Sequence, residues 1–167
     1  DAIFVHHGIF WDNESKTITG PKRTKINLLL KNNINLFGFH LPLDDHPEVG
    51  NNVELGRLLG IKNMRPDENS LIWQGELSTN LSEFSKLIEV KLDRMPQIFG
   101  GQIREIKKIA WCTGGAQDLI EDALQLNVDL YLSGEVSEKT PAVAKENNIS
   151  YISAGHHATE RYGVQAL

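Results

Sequence analysis

The sequence predicts an α/β fold containing parallel strands, and three observations carry the prediction. In the last third, apolar runs over 106–112, 128–132 and 149–153 alternate with segments of helical spacing, the pattern of strands joined by crossover helices. Earlier in the chain, apolar runs over 3–5 and 34–39 each stop at a histidine, His6 and His40. The intervening segments repeat apolar residues three and four apart, as Ile26, Leu29 and Leu30 do, and as Phe84, Leu87 and Ile88 do.

Taken in order, Ala2-Ile3-Phe4-Val5 reads as the middle of a buried strand that ends at His6-His7-Gly8. A polar loop with Trp11 and Gly20 follows, and Pro21 suits the first turn of a helix reaching Asn32-Asn33. The second strand ends at His40. Two prolines and the pair Asp44-Asp45 make 41–50 a loop. Asn51 or Asn52 is placed to cap a short helix carrying Val53, Leu55, Leu58 and Leu59, which Gly60 ends. A strand is expected over 71–77. Asn80 with Glu83 three residues later resembles a capping box for the next helix. Gly114-Gly115 opens a helix through Leu119, Ala123 and Leu126, and another is expected around 141–145. The chain begins in mid-strand without Met and stops inside what reads as a helix, so 1–167 reads as one domain taken from a longer chain that lacks its N-terminal and C-terminal segments.

Composition narrows the function. A 167-residue chain that is 40% hydrophobic and 23% charged has the makeup of a globular domain with a real core. No apolar run approaches the roughly 20 residues that span a bilayer, no basic-then-apolar leader is evident, and the single cysteine, Cys112, excludes an intrachain disulfide. Together these point to the cytoplasm and away from a membrane. Seventeen basic against 22 acidic residues give a charge of −5, which does not indicate nucleic acid as a partner. The local clusters at Lys22-Arg23-x-Lys25 and Arg104-x-x-Lys107-Lys108 read as solvated faces.

All six histidines fall in three short segments: His6-His7, then His40 and His46, then His156-His157. Each segment follows the C-terminal end of a predicted strand, the edge where α/β sheets build ligand sites. His156 and Glu160 stand four apart at the start of a helix, so one face presents both. His40 and Asp44 share that offset across the loop, where spacing alone fixes nothing. A strand running to a His-His pair occurs twice, which hints at an old duplication. Any one of these histidines reads equally well as a polar residue satisfied at a strand end; the set points to a shared metal site. Neighbouring strand residues face opposite ways, so His6 and His7 either lie where the strand breaks or hold different ions. With Asp44, His156 and Glu160 that gives five side chains for two metals, an open coordination typical of catalytic sites.

The segments Val5-His6-His7-Gly8, His40 through Asn52, Trp111-Cys112-Thr113-Gly114-Gly115, Gly134-Glu135-Val136-Ser137-Glu138 and Ala154 through Arg161 resemble the Nif-three-like family of dinuclear metal proteins, also described as GTP cyclohydrolase homologues. The resemblance runs the length of the chain in the same order. It implies two intertwined, similar α/β halves with mixed sheets, and a ring-shaped homohexamer. It also implies two divalent ions per subunit, iron, zinc or manganese, held by His6, His7, Asp44, His156 and Glu160 with Glu160 as bridge. The activity it implies is metal-dependent hydrolysis through a metal-bound hydroxide, on a small-molecule substrate it does not identify. The alternative is a non-catalytic metal-binding or partner-binding scaffold.

Other residues stay open between roles. Asp44 and Glu160 are candidate catalytic groups as well as ligands. Glu135, after a strand as the ligands are, is a candidate general base, an acceptor behind a ligand, or a helix cap. His40 and His157 are candidates for orienting ligands. Phe10 and Trp11 belong to the core or to a substrate cleft, Gly114-Gly115 to a phosphate cradle or to close packing, and Cys112 reads as buried and inert.

Overall fold

A computed structural model of the chain describes residues 1–101 and 105–167; Arg104, in the second basic cluster, lies outside the described residues. The fold is a mixed α/β arrangement with two sheets. In the first, β1 (Ala2–Val5) pairs in parallel with β2 (Asn35–Gly38) through α1 (Gly20–Lys31). A short α2 (Leu41–Asp44) and α3 (Asn51–Leu58) lead into β3 (Lys62–Pro66) and β4 (Trp73–Thr79). There follow α4 (Leu81–Leu92), β5 (Gln97–Gly100), β6 (Ile106–Trp111), α5 (Ile120–Gln125), β7 (Leu130–Ser133), α6 (Thr140–Glu146), β8 (Ser150–Ser153), α7 (His156–Thr159) and α8 (Tyr162–Ala166). The second sheet has the order β3-β4-β6-β7-β8-β5, with β6, β7 and β8 parallel and the outer pairings antiparallel.

The central strands explain the core. Both β7 and β8 are buried along their whole length, as parallel strands covered on two faces must be. Their alternation divides the interior. Ile109, Trp111, Leu130, Leu132 and Ile152 face Val53 and Leu55 of α3 and Phe84, Ile88 and Leu92 of α4. Ala110, Cys112, Tyr131 and Tyr151 face Ile120 and Ala123 of α5 and Ala144 of α6. At the chain's end, α8 returns to α3, where the Gly163 amide donates to Asn51 Oδ1 at 2.8 Å. That closure intertwines the early and late parts of the chain.

Several sequence expectations need correction. The run at 2–5 is not buried here: Ile3 and Phe4 are exposed, as are Phe37 and Phe39 beside them. The segment 41–50 is not all loop, because Pro42 sits in the first turn of α2, where its missing N–H costs nothing. Gly50 is the residue before α3, and no side chain caps it; Asn51 and Asn52 lie inside the first turn and are fully buried. Gly114-Gly115 does not open a helix directly, since a 3-10 turn at Gln117–Leu119 intervenes before α5. The capping expectation at Asn80 holds, with the Glu83 amide donating to Asn80 Oδ1 at 3.0 Å. No helix among the described residues is long and apolar enough to cross a membrane.

Candidate metal centre

The C-terminal ends of both sets of parallel strands meet at one place. β1 delivers His6 and His7, and β2 delivers Phe39 and His40. From the large sheet, β6 leads to Thr113 and Gly114, β7 to Gly134 and Glu135, and β8 to α7 with His156. Backbone bonds lace these ends together, Gly134 N to Gly114 O at 2.8 Å and Gly155 N to Gly134 O at 2.9 Å.

Glu160 lies at the centre, 8% exposed. Its Oε1 is 3.6 Å from His6 Nε2, which is 3.3 Å from Asp44 Oδ1. Its Oε2 is 3.0 Å from His7 Nε2 and 2.9 Å from His156 Nε2. Two triads share Glu160, His6–Asp44–Glu160 and His7–His156–Glu160, and a third, His6–His7–His40, lies beside them, each with ligand atoms within 4.8 Å of one another. The five residues singled out in the sequence are therefore brought together, and the two oxygens of one carboxylate face different histidines.

The hydrogen bonding of the histidines fits a cation. His6 Nδ1 donates to the Phe39 carbonyl at 2.8 Å, which places the neutral ring's lone pair on Nε2. His156 Nδ1 donates to Glu135 Oε1 at 2.6 Å and likewise turns Nε2 inward. Among the described residues, His6 Nε2, His156 Nε2 and Glu160 Oε2 are buried yet lack a hydrogen bond of acceptable geometry. Buried polar atoms left this way are costly, and atoms that converge without bonding one another are what a metal ion would satisfy. Imidazole and carboxylate suit iron, zinc or manganese.

Asp44 is buried at the end of α2 instead of lying in the expected loop. Asn51 Nδ2 donates to its Oδ1 at 2.9 Å and Thr113 Oγ1 at 3.2 Å. Burial would raise its pKa, but these bonds and His6 outweigh burial and hold the carboxyl below its ordinary value. For His6, burial would lower the pKa; Asp44 and Glu160 outweigh it and raise the ring to about 10. His7 is lowered, by burial first, with Glu160 opposing and the rings of His6, His156 and His40 adding to the depression.

Other candidates separate clearly. His40 packs its ring 5.1 Å from His6 and 5.2 Å from His7, whereas His157 is exposed. His46 is away from the cluster, its Nδ1 accepting from the Glu48 and Val49 amides at 3.2 and 3.3 Å. Glu135 caps no helix; it orients His156, and its backbone carbonyl accepts from Ser133 Oγ at 3.1 Å and Tyr151 Oη at 2.5 Å. Gly114 is no phosphate cradle, because its amide donates to Thr159 Oγ1 at 3.0 Å. Its backbone is left-handed, φ +69°, and a Cβ there would run into the Glu160 carboxylate. Cys112 is buried, and burial, with Asp44 nearby, pushes its thiol up to about 12, so it is inert. Phe10 is exposed beneath Lys22, and Trp11 lines a cavity beside the cluster instead of the core.

Sequence reasoning missed Asn51, Asn52 and Thr113 as supports of the site. The Thr113 amide donates to Asn52 Oδ1 at 2.9 Å, and Trp111 Nε1 donates to the Asn52 carbonyl at 2.8 Å. The only signal available was an asparagine pair opening an apolar helix, which reads first as a cap.

Comparison with known proteins gives one family. The sequence profile of Duf34/NIF3 (NGG1p interacting factor 3) matches residues 1–167. A Pseudomonas aeruginosa protein named GTP cyclohydrolase 1 type 2 homolog is 49% identical over 174 residues, covering all of this chain and 68% of the relative. The solved structure of protein ybgI, described as of unknown function, shares 45% identity with a TM-score of 0.95, over 99% of this chain and 68% of that one. The structure of TTHA1606 from Thermus thermophilus shares 28% identity with a TM-score of 0.90, over 99% and 67%.

Proposed function

This chain belongs to the Duf34/NIF3 family, and from that premise we propose that its cluster holds two divalent ions and serves a metal-dependent hydrolase. The observation that carries the reading is the division of Glu160, whose Oε1 faces His6 and Asp44 while Oε2 faces His7 and His156. Glu160 would bridge the pair, His6 and Asp44 would complete one ion's set, and His7 and His156 the other's. Such a pair supplies Lewis acidity and a water made nucleophilic near neutral pH.

The protein's own groups have distinct tasks. Phe39 O and Glu135 fix the ring orientations of His6 and His156, the kind of support that sets ligand basicity. Asn51 and Thr113 hold Asp44 ionised. Glu135, exposed on the border of a cavity of about 670 Å³, would take up a proton released there through the carboxylate oxygen that His156 does not engage. The relatives' name brings a purine ring to this chain as the first substrate class to try, with phosphoesters second. The family likeness also supports a ring-shaped homohexamer working in the cytoplasm.

A second reading, a metal-holding or partner-binding scaffold without turnover, draws on one observation: the exposed Glu135 carboxylate is already engaged by His156. Metal-loaded protein assayed against nucleotides and phosphoesters separates the two. Hydrolysis that disappears on chelation and returns with metal supports the enzyme; full metal occupancy with no turnover of any member of the panel supports the scaffold.

A further inference from the structure

Two cavities flank the cluster, and they differ in chemistry. The larger is bordered by Glu135, His157, Arg161 and Gln165. The other, of about 470 Å³, has Trp11, Leu41, Leu71, Ala116 and Leu119 in its wall and reaches His7, Asp44, His156 and Glu160 at its inner end. Its one further charged lining group is Asp118, and no lysine or arginine lines it among the described residues. Lys139 approaches Asp118 from outside, but its Nζ is held 3.4 Å from Asp118 Oδ1 and 3.7 Å from Glu121 Oε1.

Trp11 is set in place rather than loose. Its indole Nε1 donates to the Gly8 carbonyl at 3.2 Å, and its ring crosses His7 at 73° and His40 at 79°. It nevertheless remains 37% exposed, while Trp73 and Trp111 are buried. A fixed indole with open surface at the edge of an apolar slot is a stacking platform for a planar ring. The slot's charge selects further. No lysine or arginine among the described residues offers a phosphate a side-chain partner in the slot wall, and Asp118 is complementary to a ring edge that donates N–H groups.

We propose that the Trp11 slot binds a planar nitrogen heterocycle presenting N–H donors, recognised through its ring and without phosphate groups. It rests on the metal-centre reading only for what happens to the ring at the inner end. Guanosine and GTP serve as probes, read by tryptophan fluorescence, in which Trp11 is the one indole open to a stacked ring. Guanosine should quench emission saturably in both metal-loaded and chelated protein, with affinity equal to or better than that of GTP. Trp11→Leu should abolish the quench and, by calorimetry, weaken guanosine about tenfold or more, whereas Trp11→Phe should retain most of the calorimetric affinity. Asp118→Asn should weaken guanosine more than adenosine, whose ring lacks the paired donor edge. The proposal is overturned by GTP binding tenfold tighter than guanosine, by an unchanged calorimetric affinity in Trp11→Leu, or by no saturable quench in the wild type. Metal content measured on the same samples keeps the two readings apart: loss of ring binding with both ions present sinks only the slot, and ring binding by metal-supplemented wild type that retains no ions sinks only the metal centre.

Discussion

At the scale of single residues, the metal centre turns on Glu160 and on what surrounds it. Glu160→Ala should strip metal from both positions, because one carboxylate faces both triads. His157→Ala, exposed and outside both triads, should keep wild-type metal content; equal losses in the two variants would refute these roles, with elemental analysis as the measurement. Gly114→Ala is the more searching variant. Its methyl would collide with the Glu160 carboxylate, and its backbone would have to hold φ +69°, a strain of about 1–3 kcal/mol. It should lower metal content although residue 114 supplies no side-chain ligand, and Gly115→Ala, with ordinary contacts at 3.5 and 3.6 Å, should not. Proton competition gives a further expectation. His6 is raised to about 10 in the metal-free protein, so at neutral pH a metal ion must displace a proton from it. Apparent metal affinity should then fall by about tenfold for each unit of pH lowered through the neutral range, with proton release visible by calorimetry in buffers of different ionisation enthalpy. An affinity independent of pH would contradict it. The sequence made the site legible because the histidines are few and clustered at strand ends, with Asp44 and Glu160 each four residues from one. It could not separate His40, packed on His6 and His7, from His157, which is exposed and outside the ligand triads, since both simply follow a strand.

At the scale of elements, the ligands are held by a junction of α2, α3 and α8. Asn51 makes the junction: its Nδ2 donates to Asp44 of α2 and its Oδ1 accepts from Gly163 of α8. Asn51→Ala would orphan the Gly163 N–H and remove a donor from buried Asp44, at about 1–3 kcal/mol for each group left unsatisfied. Chemical unfolding should register that loss, and metal affinity should fall with it; an unchanged midpoint would show that the junction does not hold the site. This tie was not readable beforehand. Buried asparagines have no periodic signature, and their partners lie 7 and 112 positions away. The elements themselves were legible where apolar residues cluster, exposed β1, β2 and α1 included. The central strands β6, β7 and β8 stand out as apolar runs, while the two missed strands, β3 and β5, are the edges of the sheet. β3 reads Lys-Asn-Met-Arg-Pro and is mostly exposed, so no hydrophobic alternation marks it, and such charged, proline-bearing strands are usual at edges.

At the scale of the whole molecule, the two sheets differ in how well they are covered. The six-stranded sheet is packed on both faces, whereas β1 and β2 leave Phe4, Phe37 and Phe39 exposed and α1 leaves Leu28 and Leu30 exposed. The stacked rings of Phe4 and Phe37, 5.3 Å apart, add to an apolar surface of a kind that is usually covered. The proposed homohexamer accords with this, and light scattering should give six protomer masses at micromolar concentration, with a monomer as the contrary result. The most direct test of the central claim is anomalous scattering from crystals of metal-supplemented protein. Two peaks per chain are expected, about 3.5–4 Å apart as in two-metal sites, one beside His6 and Asp44, the other beside His7 and His156, with Glu160 between them. A single peak, or metal bound away from Glu160, would contradict it.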